Sequence, residues 1–197
     1  QAEIAKRTDI EARLRETNQE MTEQLQEIRS LQSRLEELAI RDGLTGLYNR
    51  RYLDDALERE LARAQREGHP VSIALIDLDN FKQLNDTYGH QAGDAVLRAL
   101  STLLSDRARG DDLFALKRIM VARATNMLPN MPLSSAAERA DGWRMRFGEA
   151  GVRFGEFTLR TTLSVGLAAY PDQGTLPAQL LRAADEALYR AKTAGRN

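Results

Sequence analysis

The chain has no cysteine among its 197 residues. That excludes disulfide scaffolding, thiol catalysis and Cys-type zinc sites, and it fits a reducing compartment. No apolar run approaches the roughly 18 residues a membrane helix needs. No signal-peptide pattern is present either, so direct membrane contact is not expected. Neither sign of charge is in excess: 28 Lys and Arg stand against 29 Asp and Glu, a formal net charge of -1. Such a balance gives no electrostatic reason to bind nucleic acid, and any anionic ligand must be held by a local cluster of cations. Gly and Pro are absent from the first 40 residues, so nothing there interrupts a helix. What is present, 42% hydrophobic and 29% charged residues, suits one globular domain plus an appendage.

The appendage is the Gly- and Pro-free segment. Leu14, Met21, Ile28 and Leu35 recur every seven residues. Ile10, Thr17, Gln24, Leu31 and Leu38 form a second series three residues after each first-series position. Together they make an a/d heptad seam, with Arg13, Glu20, Glu27 and Arg34 at the g positions beside it. An amphipathic helix packed on its own domain is the alternative, but spacing sustained over several heptads favours a coiled coil. Arg7, Thr17 and Gln24 are polar members of the seam. They predict a stalk of modest stability, able to change register when an upstream domain moves. Residues 1–41 are accordingly expected to be a dimerising, signal-carrying stalk, and 42–197 the globular domain. The chain opens inside helix, so an upstream sensor domain is expected to be missing from this fragment.

Texture changes at Asp42. RDGLTGLYN reads as a turn-rich joint, with Asn49 capping a helix from Arg50 to about Glu67. Gly68-His69-Pro70 stops it. VSIALIDLD then reads as a buried strand ending in Asp77 and Asp79. NFKQLNDTYGHQAGD is a polar segment punctuated by Gly, leading to a helix from about Ala92 to Ser105. Asp111 to Leu128 has strand-like pieces on either side of a basic stretch. Ser134 or Ser135 is placed to cap a helix running past Trp143. FTLRTTLSVGLAAY reads as strand, and a final helix runs from about Ala178 to Lys192. Strands and helices alternating around one sheet give the α/β class. His69 is expected to be solvated and His90 to shape its loop. Trp143, Met145 and Tyr189 are expected to pack helices on the sheet.

Ligands of open α/β sheets gather beyond the carboxyl ends of strands. Asp77 and Asp79 share one face there by strand parity. Hard carboxylate oxygens suit Mg²⁺, which takes one or two of them and completes its shell with water and phosphate. Capping of the following loop is the competing role for this pair. Lys82, Asn85, Asp86 and Asp94 crowd the adjacent segment: Asn and Asp can together read a guanine edge, and Lys supplies point charge to phosphate. Lys192 and Arg196 close the last helix, where they also complement its dipole.

DGLTGLYNRRYL, LIDLDNFKQLNDTYGHQAGDAVL, TLSVGLAAYP and ADEALYRAKTAGRN resemble, in order and spacing, the GGDEF family of diguanylate cyclases. The resemblance covers Asp42 to Asn197. It implies a nucleotide-cyclase or polymerase-palm-like central sheet flanked by helices, and a protein of the bacterial cytoplasm or the cytoplasmic part of a larger sensor. Two such domains would face each other as a homodimer, each holding one GTP. Each 3′-hydroxyl would attack the partner's α-phosphate to form cyclic di-GMP and pyrophosphate. By matching position, Asp77 and the backbone carbonyl of Leu78 would bind Mg²⁺ (or Mn²⁺). Asn85 and Asp94 would read guanine. Phe81 and Lys82 would lie on the phosphate-binding turn, Lys82 with a catalytic part beside Asp77, and Lys192 and Arg196 would contact phosphates. Arg109 and Asp112 resemble the RxxD product-inhibition site that takes cyclic di-GMP.

The signature that names the family is missing. Where it places Gly-Gly and then an acidic pair, this chain has Arg118-Ile119 and Met120-Val121. The stretch to Pro129 is about two residues longer than the pattern. Glycines allow a tight turn and close approach to a nucleotide, and the acidic pair completes the metal site. Taken literally, the replacement predicts a crippled cyclase, with Arg118 available to a phosphate and GTP or cyclic di-GMP binding without turnover as the alternative function. Codons for Ile119 through Asn126 can also spell Tyr-Gly-Gly-Glu-Gly-Asp-Glu in a shifted frame, which makes a local frameshift the competing explanation.

Overall fold

The computed structural model describes residues 2–106, 112–119 and 121–197, with side chains at 15, 17–106, 112–115 and 123–197. The chain divides into two compact units, Gln1–Ile40 and Arg41–Asn197. The first is one helix, α1 (Ala2–Ile40). Met21, Ile28, Leu31, Leu35 and Leu38 are all exposed along it. Local links such as Gln19 to Glu23 at 3.3 Å add only tenths of a kcal/mol each.

The second unit runs α2 (Arg50–Glu67), β1 (Val71–Leu78), α3 (Phe81–Tyr88), α4 (His90–Ser105), β2 (Leu113–Ile119), β3 (Val121–Pro129), α5 (Leu133–Glu149), β4 (Val152–Phe154), β5 (Phe157–Leu159), β6 (Leu163–Tyr170) and α6 (Pro177–Thr193). Four strands form a sheet in the order β2-β3-β1-β6, and β4 and β5 make a separate hairpin. β1 is central and buried throughout, which is why its sequence is an unbroken apolar run. It lies antiparallel to both neighbours, with Ile76 opposite Ala124 and Val165, and Asp77 opposite Arg123 and Ser164.

Alternation along β1 supplies two cores. Ala74 and Ile76 pack with Leu97 and Leu100 of α4 and Trp143 of α5. Val71, Ile73 and Leu75 pack with Leu57 and Leu61 of α2 and Leu180 and Leu188 of α6. A central sheet with helices on both faces is the α/β architecture the sequence implies. Helix α2 starts where Asn49 accepts the Tyr52 N–H at 3.0 Å and ends at Gly68, whose φ of 71° puts it in the left-handed region.

Several sequence expectations need correction. The polar segment after Asp79 contains a full helix, α3. It is short, and its Asn, Asp and Thr are weak helix formers in isolation, so packing must hold it. Helix α5 begins at Leu133, with Pro132 at the N-cap and no side-chain cap, so neither Ser134 nor Ser135 caps it. FTLRTTLSVGLAAY is two strands, β5 and β6. His69 is largely buried, its Nε2 3.0 Å from Glu60 and its Nδ1 3.6 Å from Glu67. Trp143 packs as expected, whereas Met145 and Tyr189 are exposed.

Candidate active site at the carboxyl end of the central strand

Helix α6 decides what lies above the end of β1. It crosses β6 at Gly166, where an added Cβ would meet Ala184 O at 2.1 Å and Leu188 N at 2.3 Å. Only glycine admits that approach, which carries the last turn of α6 over Asp77. Lys192 Nζ contacts Asp77 Oδ2 there. Asp77 is 1% exposed, and its Oδ1 has no hydrogen-bond partner among the described residues. Burial, and then the neighbouring Arg196, lower the Lys192 pKa from its ordinary value.

Asp79 has a different job. Thr162 Oγ1 donates to its Oδ2 at 2.6 Å and Ser164 Oγ to its Oδ1 at 2.7 Å. The Asn197 N–H adds 3.3 Å to Oδ2, while Thr161 Oγ1 donates to the Asp79 carbonyl at 2.7 Å. Both carboxylate oxygens are therefore engaged in fastening the β1–α3 loop to β6 and the tail. Capping, the competing role for the pair, holds for Asp79 and not for Asp77. Asn80 follows at φ 55°, the left-handed turn that starts α3. Phe81 and Lys82 open that helix, Lys82 exposed.

Asn85 lies where α3 passes α4, against Gly93, the residue before Asp94. Gly93 permits the approach: a Cβ there would lie 2.0 Å from Asn85 Oδ1 and 3.1 Å from the Phe81 ring. Asn85 Oδ1 is buried without a partner among the described residues, while Asp94 is half-buried. The structure thus brings Asn85 and Phe81 against Gly93, next to Asp94 in α4, and Asp77, Lys192 and Arg196 together at the strand end. Sequence reasoning missed Gly93 and Gly166; a glycine inside an otherwise helical or strand-like run was the available signal.

Strands β2 and β3 form the hairpin beside this strand end. Arg118 pairs with Ala122 and Ile119 with Val121, and Arg123 lies opposite Asp77. Arg123 Nη1 bonds Asp185 of α6 at 2.6 Å. No carboxylate occurs between Leu113 and Pro129. Among the described residues no group of three or more His, Cys, Asp or Glu could by itself hold a metal. The donor set still fits Mg²⁺ or Mn²⁺: one buried carboxylate with an unused oxygen at a strand end suits a hard cation that draws its other ligands from phosphate and water.

Asp112, half-buried with its side chain 2% exposed, pairs with Arg139 Nη2 at 2.6 Å; the Arg139 guanidinium lies 5.2 Å from the centre of the Trp143 ring. Arg109, the other residue of the RxxD resemblance, lies outside the described residues.

A family model described as "Diguanylate cyclase, GGDEF domain" matches residues 39–197. The response regulator PleD of Caulobacter vibrioides is 40% identical over 163 residues, covering 82% of this chain and 36% of PleD. Diguanylate cyclase DgcP of Pseudomonas aeruginosa is 34% identical over 192 residues, covering 96% and 28%. The chain therefore spans about a third of the length of these curated relatives. Among solved structures, the coiled coil and GGDEF domain of DgcB from Caulobacter crescentus, in complex with c-di-GMP, superposes with a TM-score of 0.82 at 29% identity, covering 95% of this chain and 96% of that one.

Proposed function

The chain belongs to the GGDEF family of diguanylate cyclases, and on that premise we propose that residues 42–197 bind GTP and, as a pair, condense two GTP into cyclic di-GMP and pyrophosphate. The observation that supports this most directly is the convergence of Asp77 with Lys192 at the end of β1, with Asp77 Oδ1 left over. Asp77 and the Leu78 carbonyl would hold Mg²⁺ or Mn²⁺, whose chemistry is to neutralise phosphate charge and favour loss of the hydroxyl proton. Asn85 and Asp94 take the guanine edge, with Phe81 beside them. Lys82 and the first amides of α3 face the phosphates, and Lys192 and Arg196 supply the remaining positive charge. In each half-reaction the 3′-oxygen of one GTP forms a bond to the α-phosphorus of the other as pyrophosphate leaves. Positioning and charge neutralisation supply most of the rate.

Pairing is assigned to the stalk, residues 1–41. Its exposed Met21, Ile28, Leu31, Leu35 and Leu38 occupy a and d positions that a second copy would cover. The likeness to a DgcB structure described as coiled coil plus GGDEF domain supports the same organisation. The setting is the bacterial cytoplasm, with an upstream sensor domain setting the geometry of the stalk. Arg109 and Asp112 would bind cyclic di-GMP as a product-inhibition site.

One observation favours a second reading. Arg118, Ile119, Met120 and Val121 put no carboxylate where the family signature has its acidic pair, which suits a GTP- or cyclic di-GMP-binding receptor without turnover. Mg²⁺-dependent pyrophosphate release from GTP tests the first reading. Its absence, with GTP or cyclic di-GMP binding in calorimetry, would establish the second.

A further inference from the structure

We propose that Lys192 is the internal counter-ion of Asp77, a positioning residue that keeps the divalent-cation site shut until a triphosphate draws it away. The inference rests on the metal reading above and adds the order in which the site fills. Asp77 is 1% exposed, and a carboxylate so removed from water is costly unless a positive group lies against it. Here that group is the chain's own ammonium, set against Oδ2 while Oδ1 stays unpartnered among the described residues. A divalent ion arriving at Oδ1 would share one carboxylate with that ammonium. Like charges at such separation, poorly screened by water, repel strongly.

The two partners differ in freedom. Asp77 sits in the central strand, paired on both sides. Lys192 has a side chain 30% exposed, on a long flexible stem in the last turn of α6, with Arg196 close enough to depress its pKa. A metal entering alone must expel Lys192 toward another cation. A triphosphate removes the conflict, since its oxygens accept Lys192 and Arg196 and share the metal. Free metal and Lys192 therefore compete, whereas metal and GTP cooperate, and the coupling is reciprocal.

Mn²⁺ binding, read from the electron paramagnetic resonance of the free ion, tests this without turnover. In the absence of nucleotide Lys192→Met should bind Mn²⁺ about tenfold more tightly than the wild type, within the usual range of coupling between sites. The enhancement of Mn²⁺ binding by GTP should shrink by a similar factor. Equal or weaker nucleotide-free binding by the variant overturns the proposal. Because Lys192→Met strands a buried carboxylate and can unfold the domain, a second measurement uses the wild type. Amine acylation mapped by mass spectrometry compares Lys192 with the chain's other three lysines, Lys6, Lys82 and Lys117. Mn²⁺ should raise labelling at Lys192 selectively; unchanged labelling while Mn²⁺ is bound defeats the proposal. If Mn²⁺ binds neither protein, with or without GTP, the metal reading fails and takes this inference with it.

Discussion

Lys192 reaches Asp77 across 115 positions of sequence, joining the last turn of α6 to the end of the central strand. The contact separates two aspartates that the sequence presents as a matched pair. Asp77 faces the partly exposed Lys192 ammonium and keeps one oxygen without a hydrogen-bond partner among the described residues. Asp79, two residues on, has both oxygens engaged by Thr162 and Ser164.

Substituting each aspartate should therefore give opposite phenotypes. Asp77→Ala is expected to lose Mn²⁺ binding and any pyrophosphate release. Asp79→Ala is expected to lower stability by about 2–4 kcal/mol, because hydrogen bonds to a charged group each contribute about 1.5–3 kcal/mol and are not fully additive. Urea unfolding and Mn²⁺ titration of both variants check this. Normal metal binding by Asp77→Ala would refute the assignment of that residue.

Much of the fold was legible because burial wrote it into local pattern. The unbroken apolar run of β1 follows from its two covered faces, and Asn49 and Gly68 mark the ends of α2 by known capping chemistry. Helix α3 was not legible, since its polar residues prefer turns and the packing of Leu84 and Phe81 on the core holds it in place. The types of the site residues could be read from the motif blocks, but their meeting could not. It depends on Gly166 letting the backbone of α6 come down on β6, a tertiary fact with no periodic signature. The split between Asp77 and Asp79 was hidden for the same reason: Thr162 and Ser164 lie more than eighty residues away.

Lys192 should also set an alkaline limit on nucleotide binding. Burial and Arg196 lower its pKa from the ordinary lysine value of about 10.4. Phosphate is held by the protonated form, so affinity for GTP is full below the lowered pKa and falls as pH rises through it. The decline should begin before the ordinary lysine range. In Lys192→Arg the charge persists to much higher pH, so the limb should move up or vanish. A decline of the same shape in that variant, followed by calorimetry, would assign it to another group.

Gly93→Ala tests the junction of α3 and α4. Helix propensity alone predicts that alanine stabilises α4 by about 0.8–1 kcal/mol. The structure predicts the opposite at the site, because the new methyl would stand 2.0 Å from Asn85 Oδ1 and push that amide aside. Affinity for GTP should fall about tenfold or more, corresponding to about 1.4 kcal/mol, with the melting temperature little changed or lower. Unaltered GTP affinity would show that Asn85 does not read the base.

Asn126 is a point of poor fit between the departing hairpin segment and the fold. It is fully buried in β3, opposite Ala74 and Phe114. Neither its amide oxygen nor its amide nitrogen has a hydrogen-bond partner among the described residues. An unmet buried polar group costs about 1–3 kcal/mol, more than a normal hydrogen bond returns. Valine has high strand propensity and leaves nothing there to satisfy. Asn126→Val is therefore expected to raise the unfolding free energy by about 1–3 kcal/mol, while Asn126→Asp should lower it by burying a charge. Urea denaturation with unchanged m-values measures both. A less stable Asn126→Val would mean that the amide is satisfied in solution, and that β3 accommodates its unusual sequence better than its burial suggests.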